Sequence, residues 1–402
     1  MEFRKQAEKY RNDCAHFLRD LIAIPSESAE EGNVALRILE EMRKLGFDKA
    51  WSDEYGNVIG QIGTGPTRIV YDGHIDTVGV GNLQNWPHDP FKGKVENGVI
   101  WGRGAADNKA ATATQVYGAK LFKELAGKDL DQFSVFVVGS VQEEDCDGLG
   151  LRYALEKSIG NVDFVCMGEC TDLQIYRGHR GRMEINVVAR GRSCHGSAPE
   201  RGDNAIYKMN RLIADIEKLN DSLQSDPFLG KGTCAVTHIS CETPSVCAVP
   251  DGCRIHIDRR LTHGEDKALA VRQIEELPSF DRESMKVEIL TYDRPSYKGK
   301  VLVTEKYFPT WVLPEEHPLV QAGARAAEGV LGRKANISKW TFSTNGVSSM
   351  GQLGIPSIGF GPAREEDTHS IQDNVRIDDL VTSVAFYAAL PGAVLQTSGR
   401  KK

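Results

Sequence analysis

The chain has 402 residues, 40% hydrophobic and 26% charged, with a formal net charge of −7. That length supplies two domains with cores of their own, and the composition excludes a disordered or fibrous chain. The acidic balance, with no basic cluster beyond Arg400-Lys401-Lys402, argues against nucleic acid as a partner.

The start of the chain, Met1 to Tyr10, is polar and lacks an apolar signal core, and no later run approaches the length of a membrane span. A cytoplasmic location without a membrane partner is therefore expected. Nine cysteines, an odd number with no paired framework, are expected to stay reduced. Cys166 with Cys170, and Cys241 with Cys247 and Cys253, lack zinc-ribbon spacing and read as buried thiols.

The first segment with readable chemistry is Ile69-Val70-Tyr71-Asp72-Gly73-His74-Ile75-Asp76-Thr77. It begins as an apolar strand, and alternation puts His74 and Asp76 on one face, where an imidazole can bind metal while a carboxylate orients it. Next, Gly102-Arg103-Gly104-Ala105-Ala106-Asp107-Asn108-Lys109 follows the strand-like Val99-Ile100-Trp101 and precedes an Ala-rich helix over 110–122. Asp107 thus sits on a turn, where its carboxylate can bridge two cations. Gly102-Arg103-Gly104 and Gly63-Thr64-Gly65 lack the third glycine of a dinucleotide fingerprint, and no phosphate-binding loop occurs.

Phe136-Val137-Val138-Gly139-Ser140-Val141-Gln142 reads as an apolar strand that ends in the acids Glu143-Glu144-Asp145. Neighbouring strand residues face opposite ways, so Glu143 and Glu144 converge only if the strand stops there. One can then hold a metal while the other acts as general base. Glu169 closes a further strand, Phe164-Val165-Cys166-Met167-Gly168, and His369 lies in a turn-rich loop that opens at Gly361-Pro362. Five ligand candidates at strand ends or in loops fit a two-metal hydrolase site. His88, His238, His256, His263 and His317 read as structural or surface residues.

The motifs His74-Ile75-Asp76-Thr77, Gly102 to Lys109, Glu143-Glu144, Gly168-Glu169 and His369-Ser370 together resemble the metallopeptidase M20 family over nearly the whole chain. That family includes aminoacylases, acetylornithine and succinyl-diaminopimelate deacylases, carboxypeptidases and dipeptidases. Phe342 to Gly346 and Gly191 to Ile206 resemble its selenium-metabolism-linked hydrolase subgroup. The resemblance implies that His74 and Glu169 bind one metal, that Glu144 and His369 bind the other, and that Asp107 bridges them. It further implies Glu143 as general base and acid, Asp76 as its support, and a cis peptide between Asp107 and Asn108. The mixed ligand set suits zinc, with cobalt or manganese as substitutes.

Between residues 179 and 294 the pattern changes. Strands at 181–190, 233–240, 253–262 and 285–291, with helices at 203–219 and 265–277, make a ferredoxin-like order. The expected fold is α/β: a mixed-sheet, di-metal aminopeptidase-like catalytic domain of residues 1–178 and 295–402, with the α+β unit 179–294 inserted. In the resembling family the insert pairs edge to edge into a homodimer and covers the site. There His195 matches a histidine that enters the partner's site and stabilises the oxyanion.

Arg260 matches a substrate-carboxylate clamp, although an ion pair with Asp258 on the same strand face is an equal reading. Asn345 and Gly346 lie in a turn whose backbone can face substrate, and a plain β-turn explains it as well. Cys247 stands where many relatives have asparagine, and a thiol does not reproduce amide hydrogen bonds. Asp373-Asn374 stands where relatives often carry Asn-Glu.

The expected activity is metal-dependent hydrolysis of the amide of an N-acyl amino acid or small peptide-like substrate by activated water. Glutamate at position 169 accompanies deacylases and carboxypeptidases in the resembling family. A dipeptidase or carboxypeptidase of the same family is the alternative, and a non-catalytic metal-binding protein is the alternative of another class.

Overall fold

The computed structural model describes residues 2–397; Arg400-Lys401-Lys402 lies outside them. The chain divides into two compact units. The first comprises Met1–Gly178, Arg294–Leu302 and Val312–Lys402, and the second His179–Asp293 and Val303–Trp311.

In the first unit the main elements are α1 (Arg11–Ile22), α2 (Gly32–Lys44), β1 (Lys49–Ser52), β2 (Val58–Ile62), β3 (Thr67–His74), β4 (Val99–Trp101), α3 (Lys109–Leu125), β5 (Phe133–Ser140), β6 (Phe164–Met167), β7 (Ile175–Tyr176), α4 (Pro318–Leu331), β8 (Ile337–Ser338), β9 (Ser357–Gly359), β10 (Asn374–Arg376) and α5 (Ile377–Thr397). One sheet runs in the order β1-β2-β5-β3-β6-β9-β7-β8. Its centre, β5-β3-β6-β9, is parallel, while β1, β2 and β5 pair antiparallel. All eight residues of β5 are buried. That is why it reads as an unbroken apolar run and not as an alternating one: both faces are covered.

α3 is built largely of small residues, and this lets α5 come close. A Cβ placed on Gly118 would stand 2.5 Å from the Tyr387 Cβ. The expectation that no run approaches a membrane span needs correcting, because α5 is long and apolar enough by length and composition. Its most apolar stretch is 61% buried inside the unit, with Leu380, Val384, Phe386 and Leu390 in the core. It is accounted for as a core helix.

The second unit is the ferredoxin-like domain. Its antiparallel sheet runs Thr233–Glu242, Gly252–Leu261, Gly181–Arg190, Met285–Ile289. Helices Ala205–Ser222 and Lys267–Glu275 supply Met209, Leu212, Ala270 and Ile274 to its core. Residues 303–311, expected in the catalytic domain, belong to this unit instead. Tyr307 and Phe308 pair with Met183 and Arg182, extending the sheet by a short strand that is too brief to read from the sequence.

The nine cysteines are free. Cys166, Cys170 and Cys253 are buried as expected, but Cys241 and Cys247 are exposed, a correction to their reading as buried thiols. Cys241 is the next-to-last residue of a strand and Cys247 lies in the loop that follows it.

Candidate metal centre

Three parallel strands of the first unit each hand the chain to a ligand candidate at their carboxyl ends, where open α/β sheets bind ligands. β3 ends at His74, β5 stops shortly before Glu143 and Glu144, and β6 shortly before Glu169. Asp107 sits on the turn between β4 and α3, beside a cis Asp107-Asn108 peptide. His369 comes from the loop before β10 and takes a positive φ of 52°.

His74 Nδ1 donates to the backbone carbonyl of Asp76 at 3.0 Å. That leaves the lone pair of the neutral ring on Nε2. Nε2 lies 2.8 Å from Asp107 Oδ1, 3.7 Å from Glu169 Oε1 and 4.0 Å from Glu143 Oε2. The other oxygen of Asp107 is 3.3 Å from His369 Nε2, which is also 3.0 Å from Glu144 Oε2. Asp107 therefore stands between two imidazoles, one on each oxygen.

Electrostatics reveal what this cluster lacks. Burial pushes Glu169 up to about 8, helped by Asp107, Asp72 and Glu144 and opposed by His74. Burial likewise lifts Glu143 well above the carboxylate range, and raises Glu144. For His74 burial disfavours the charged ring, yet Glu169, Glu143 and Asp107 outweigh it and raise its pKa. Hydrogen bonds to Asp107 and Glu144 raise His369 to about 10. Among the described residues no lysine or arginine pairs with Asp107, Glu143, Glu144 or Glu169. Packed acids and imidazoles without a fixed counter-charge are a donor set that divalent cations fit. His74, Asp107 and Glu144 each offer one atom, all within 4.8 Å of one another.

Beneath the cluster lies its support. Asp76 is fully buried and accepts from the backbone N–H of Glu143 at 3.1 Å, from that of Glu144 at 3.0 Å and from Ser28 Oγ at 2.7 Å. It thus fixes the turn that carries both glutamates. Glu31, absent from the sequence reading, accepts from the Gln142 N–H at 2.9 Å, while Gln142 takes a positive φ of 58°. This kink ends the strand and sends the chain into the site. Nothing local marks Glu31, because its partner is distant in sequence.

Three expected substrate residues have internal partners. Asn345 is buried, and its amide donates to Asp72 Oδ2 and Ser140 Oγ, each at 2.9 Å, while its oxygen accepts from the Gly148 N–H at 2.7 Å. Its side chain is committed internally. The Gly346 N–H donates to Thr344 Oγ1 in the same buried turn. Arg260, in the second unit, lays Nε and Nη2 on the two oxygens of Asp258 at 2.7 and 3.0 Å. The ion pair, and not a waiting clamp, is what this strand face holds. His195, in the same unit, is exposed, and its Nδ1 accepts from the Ser197 N–H at 3.1 Å.

Acids and two imidazoles gathered at strand ends and in loops form a donor set of the kind metal-dependent hydrolases use. Residues 70–392 match the model of peptidase family M20/M25/M40, and the chain belongs to that family. The Escherichia coli (strain K12) protein YgeY, itself uncharacterized, is 49% identical over 393 residues, 98% of this chain and 97% of its own. Succinyl-diaminopimelate desuccinylase of Legionella pneumophila (strain Lens) is 26% identical over 273 residues, 65% of this chain and 72% of its own. The Bacillus subtilis YXEP protein, a dinuclear metal binding peptidase of the M20 family, shares the fold. Its TM-score is 0.71 at 16% identity, over 97% of this chain and 99% of its own.

Proposed function

We propose that the protein is a deacylase-type amidohydrolase that cleaves the amide of an N-acyl amino acid. In this reading His74 with Glu169, Glu144 with His369, and Asp107 would hold two divalent cations, zinc by donor chemistry. Such cations, when bound, polarise a carbonyl and lower the pKa of water. Glu143 takes the proton of the attacking water and returns it to the leaving amine. Asp76 keeps Glu143 aimed by holding its backbone N–H. The observation that carries the reading is Asp107, whose two oxygens each face a different imidazole. The desuccinylase relative favours a deacylase over a dipeptidase.

In the same reading the protein is a cytoplasmic homodimer. Nine free thiols suit a reducing compartment. In the second unit Thr233–Glu242 is an edge strand with residues 237–242 exposed, the kind of edge that pairing covers. His195 acts across that dimer as a donor to the developing oxyanion. Because Nδ1 accepts from Ser197, its neutral ring carries the proton on Nε2.

The deciding experiment strips the protein of metal, reloads it with zinc, cobalt or manganese, and measures amine release from N-acyl amino acids and dipeptides. Metal-dependent release from the first panel is expected, and release that ignores metal would reject the reading. Glu143→Gln should keep both metals and lose about 10²–10⁴-fold in turnover. An unchanged rate would remove Glu143 as the base, and is what a non-catalytic metal-binding protein predicts.

A further inference from the structure

We propose that Asp373 is the positioning residue that sets the spacing of Asp107 and His369. The inference rests on the metal reading above and concerns how two ligands from opposite ends of the chain are held in register.

The two ligand loops meet at a short ladder. β10 pairs with β4, Asn374 opposite Trp101 and Val375 opposite Ile100. The ladder continues one step, with the Gly102 N–H donating to the Asp373 carbonyl at 3.0 Å. There the side chain takes over. Asp373 Oδ1 accepts from the Ala106 N–H at 2.7 Å, and Oδ2 accepts from the Gly104 N–H at 2.8 Å and from Arg103 Nη1 at 2.9 Å. One carboxylate therefore holds the turn of residues 103–106, and the next residue is Asp107. Asp373 itself immediately precedes β10 and stands four residues after His369.

The chemistry of the contact calls for a carboxylate. Every group facing the two oxygens is a donor, so an asparagine amide would set its NH₂ against one of them and lose that partner. Asp373 is fully buried and Arg103 is 4% exposed, its guanidinium resting on the Trp86 ring at 4.9 Å. Removing the carboxylate strands a buried cation, and the turn has to shift to solvate it. The departure at this position thus has a physical account: aspartate here makes an ion pair under the site that asparagine cannot make.

The test uses full-length Asp373→Asn, with Asp373→Ala as a second variant, and Glu265→Gln as control. Glu265 makes a comparable buried contact in the second unit, accepting from Arg259 Nη2 at 2.6 Å and from the Thr262 N–H at 2.8 Å, and lies in no ligand loop. The readouts are cobalt affinity by chelator competition, the visible spectrum of bound cobalt, and melting of the metal-free protein. Both Asp373 variants should lose about 10–100-fold in cobalt affinity with an altered spectrum. Glu265→Gln should melt earlier with parental affinity and spectrum. Parental cobalt binding by the Asp373 variants, or an equal loss in Glu265→Gln, overturns the proposal. A parent protein that binds no cobalt would instead remove the metal reading, and this inference with it.

Discussion

Asp107, His74 and Glu169 can crowd together because each is delivered by backbone that has no freedom to retreat: a strand end or a turn pinned by buried carboxylates. At this scale the residues that cluster were legible as candidates, since acids and histidines at strand ends and in turns stand out when five such segments occur together. The supports were not legible. Glu31 and Asp373 work by accepting backbone N–H groups far away in sequence, and any buried acid looks the same on paper. Asn345 is the converse case, a polar turn residue expected beside substrate whose side chain bonds Asp72, Ser140 and the Gly148 N–H. Asn345→Ala should therefore cost about 1–3 kcal/mol of stability by leaving those partners unmet, with KM unchanged. Denaturant titration beside steady-state kinetics checks this, and a raised KM at parental stability would return Asn345 to the substrate.

Among the elements, strands covered on both faces were the easiest to place, because continuous apolar runs of β5 and β6 have one comfortable setting. Their ends were harder. β5 starts at Phe133, before its apolar pattern indicates, and stops at Ser140, before that pattern ends, the stop because the Gln142 N–H bonds Glu31. The α3–α5 contact depends on Gly118, where an added Cβ would also come within 3.1 Å of the Val384 carbonyl. Gly118→Val should thus overpack the contact and destabilise the protein by about 1–3 kcal/mol. The check is thermal melting. An unshifted melting temperature would mean that the helices separate at no cost and that the close approach is incidental.

For the molecule as a whole, the two-unit plan was legible from the switch in element order near residue 179, but the return of residues 303–311 to the second unit was not. A two-residue strand carries no periodicity, and only its pairing with Arg182 and Met183 reveals it. The proposed role of His195 belongs to this scale, since it requires two chains. Mixing His195→Ala with Glu143→Gln protein under conditions that exchange subunits should restore part of the activity, because one of the two sites in a mixed dimer combines an intact base with an intact histidine. No recovery from demonstrably mixed dimers would count against action across the interface.

By itself the sequence determined the alternation of strands and helices, the ferredoxin-like insert and the identity of the candidate ligands, because periodicity and ligand chemistry are local properties. Only the tertiary structure decided which oxygen of Asp107 meets which imidazole, that α5 is core, that Arg260 pairs with Asp258, and that Asp373 bonds the turn before Asp107. Those outcomes depend on burial and on contacts between distant residues, where the low dielectric makes every unpaired donor, acceptor or charge costly.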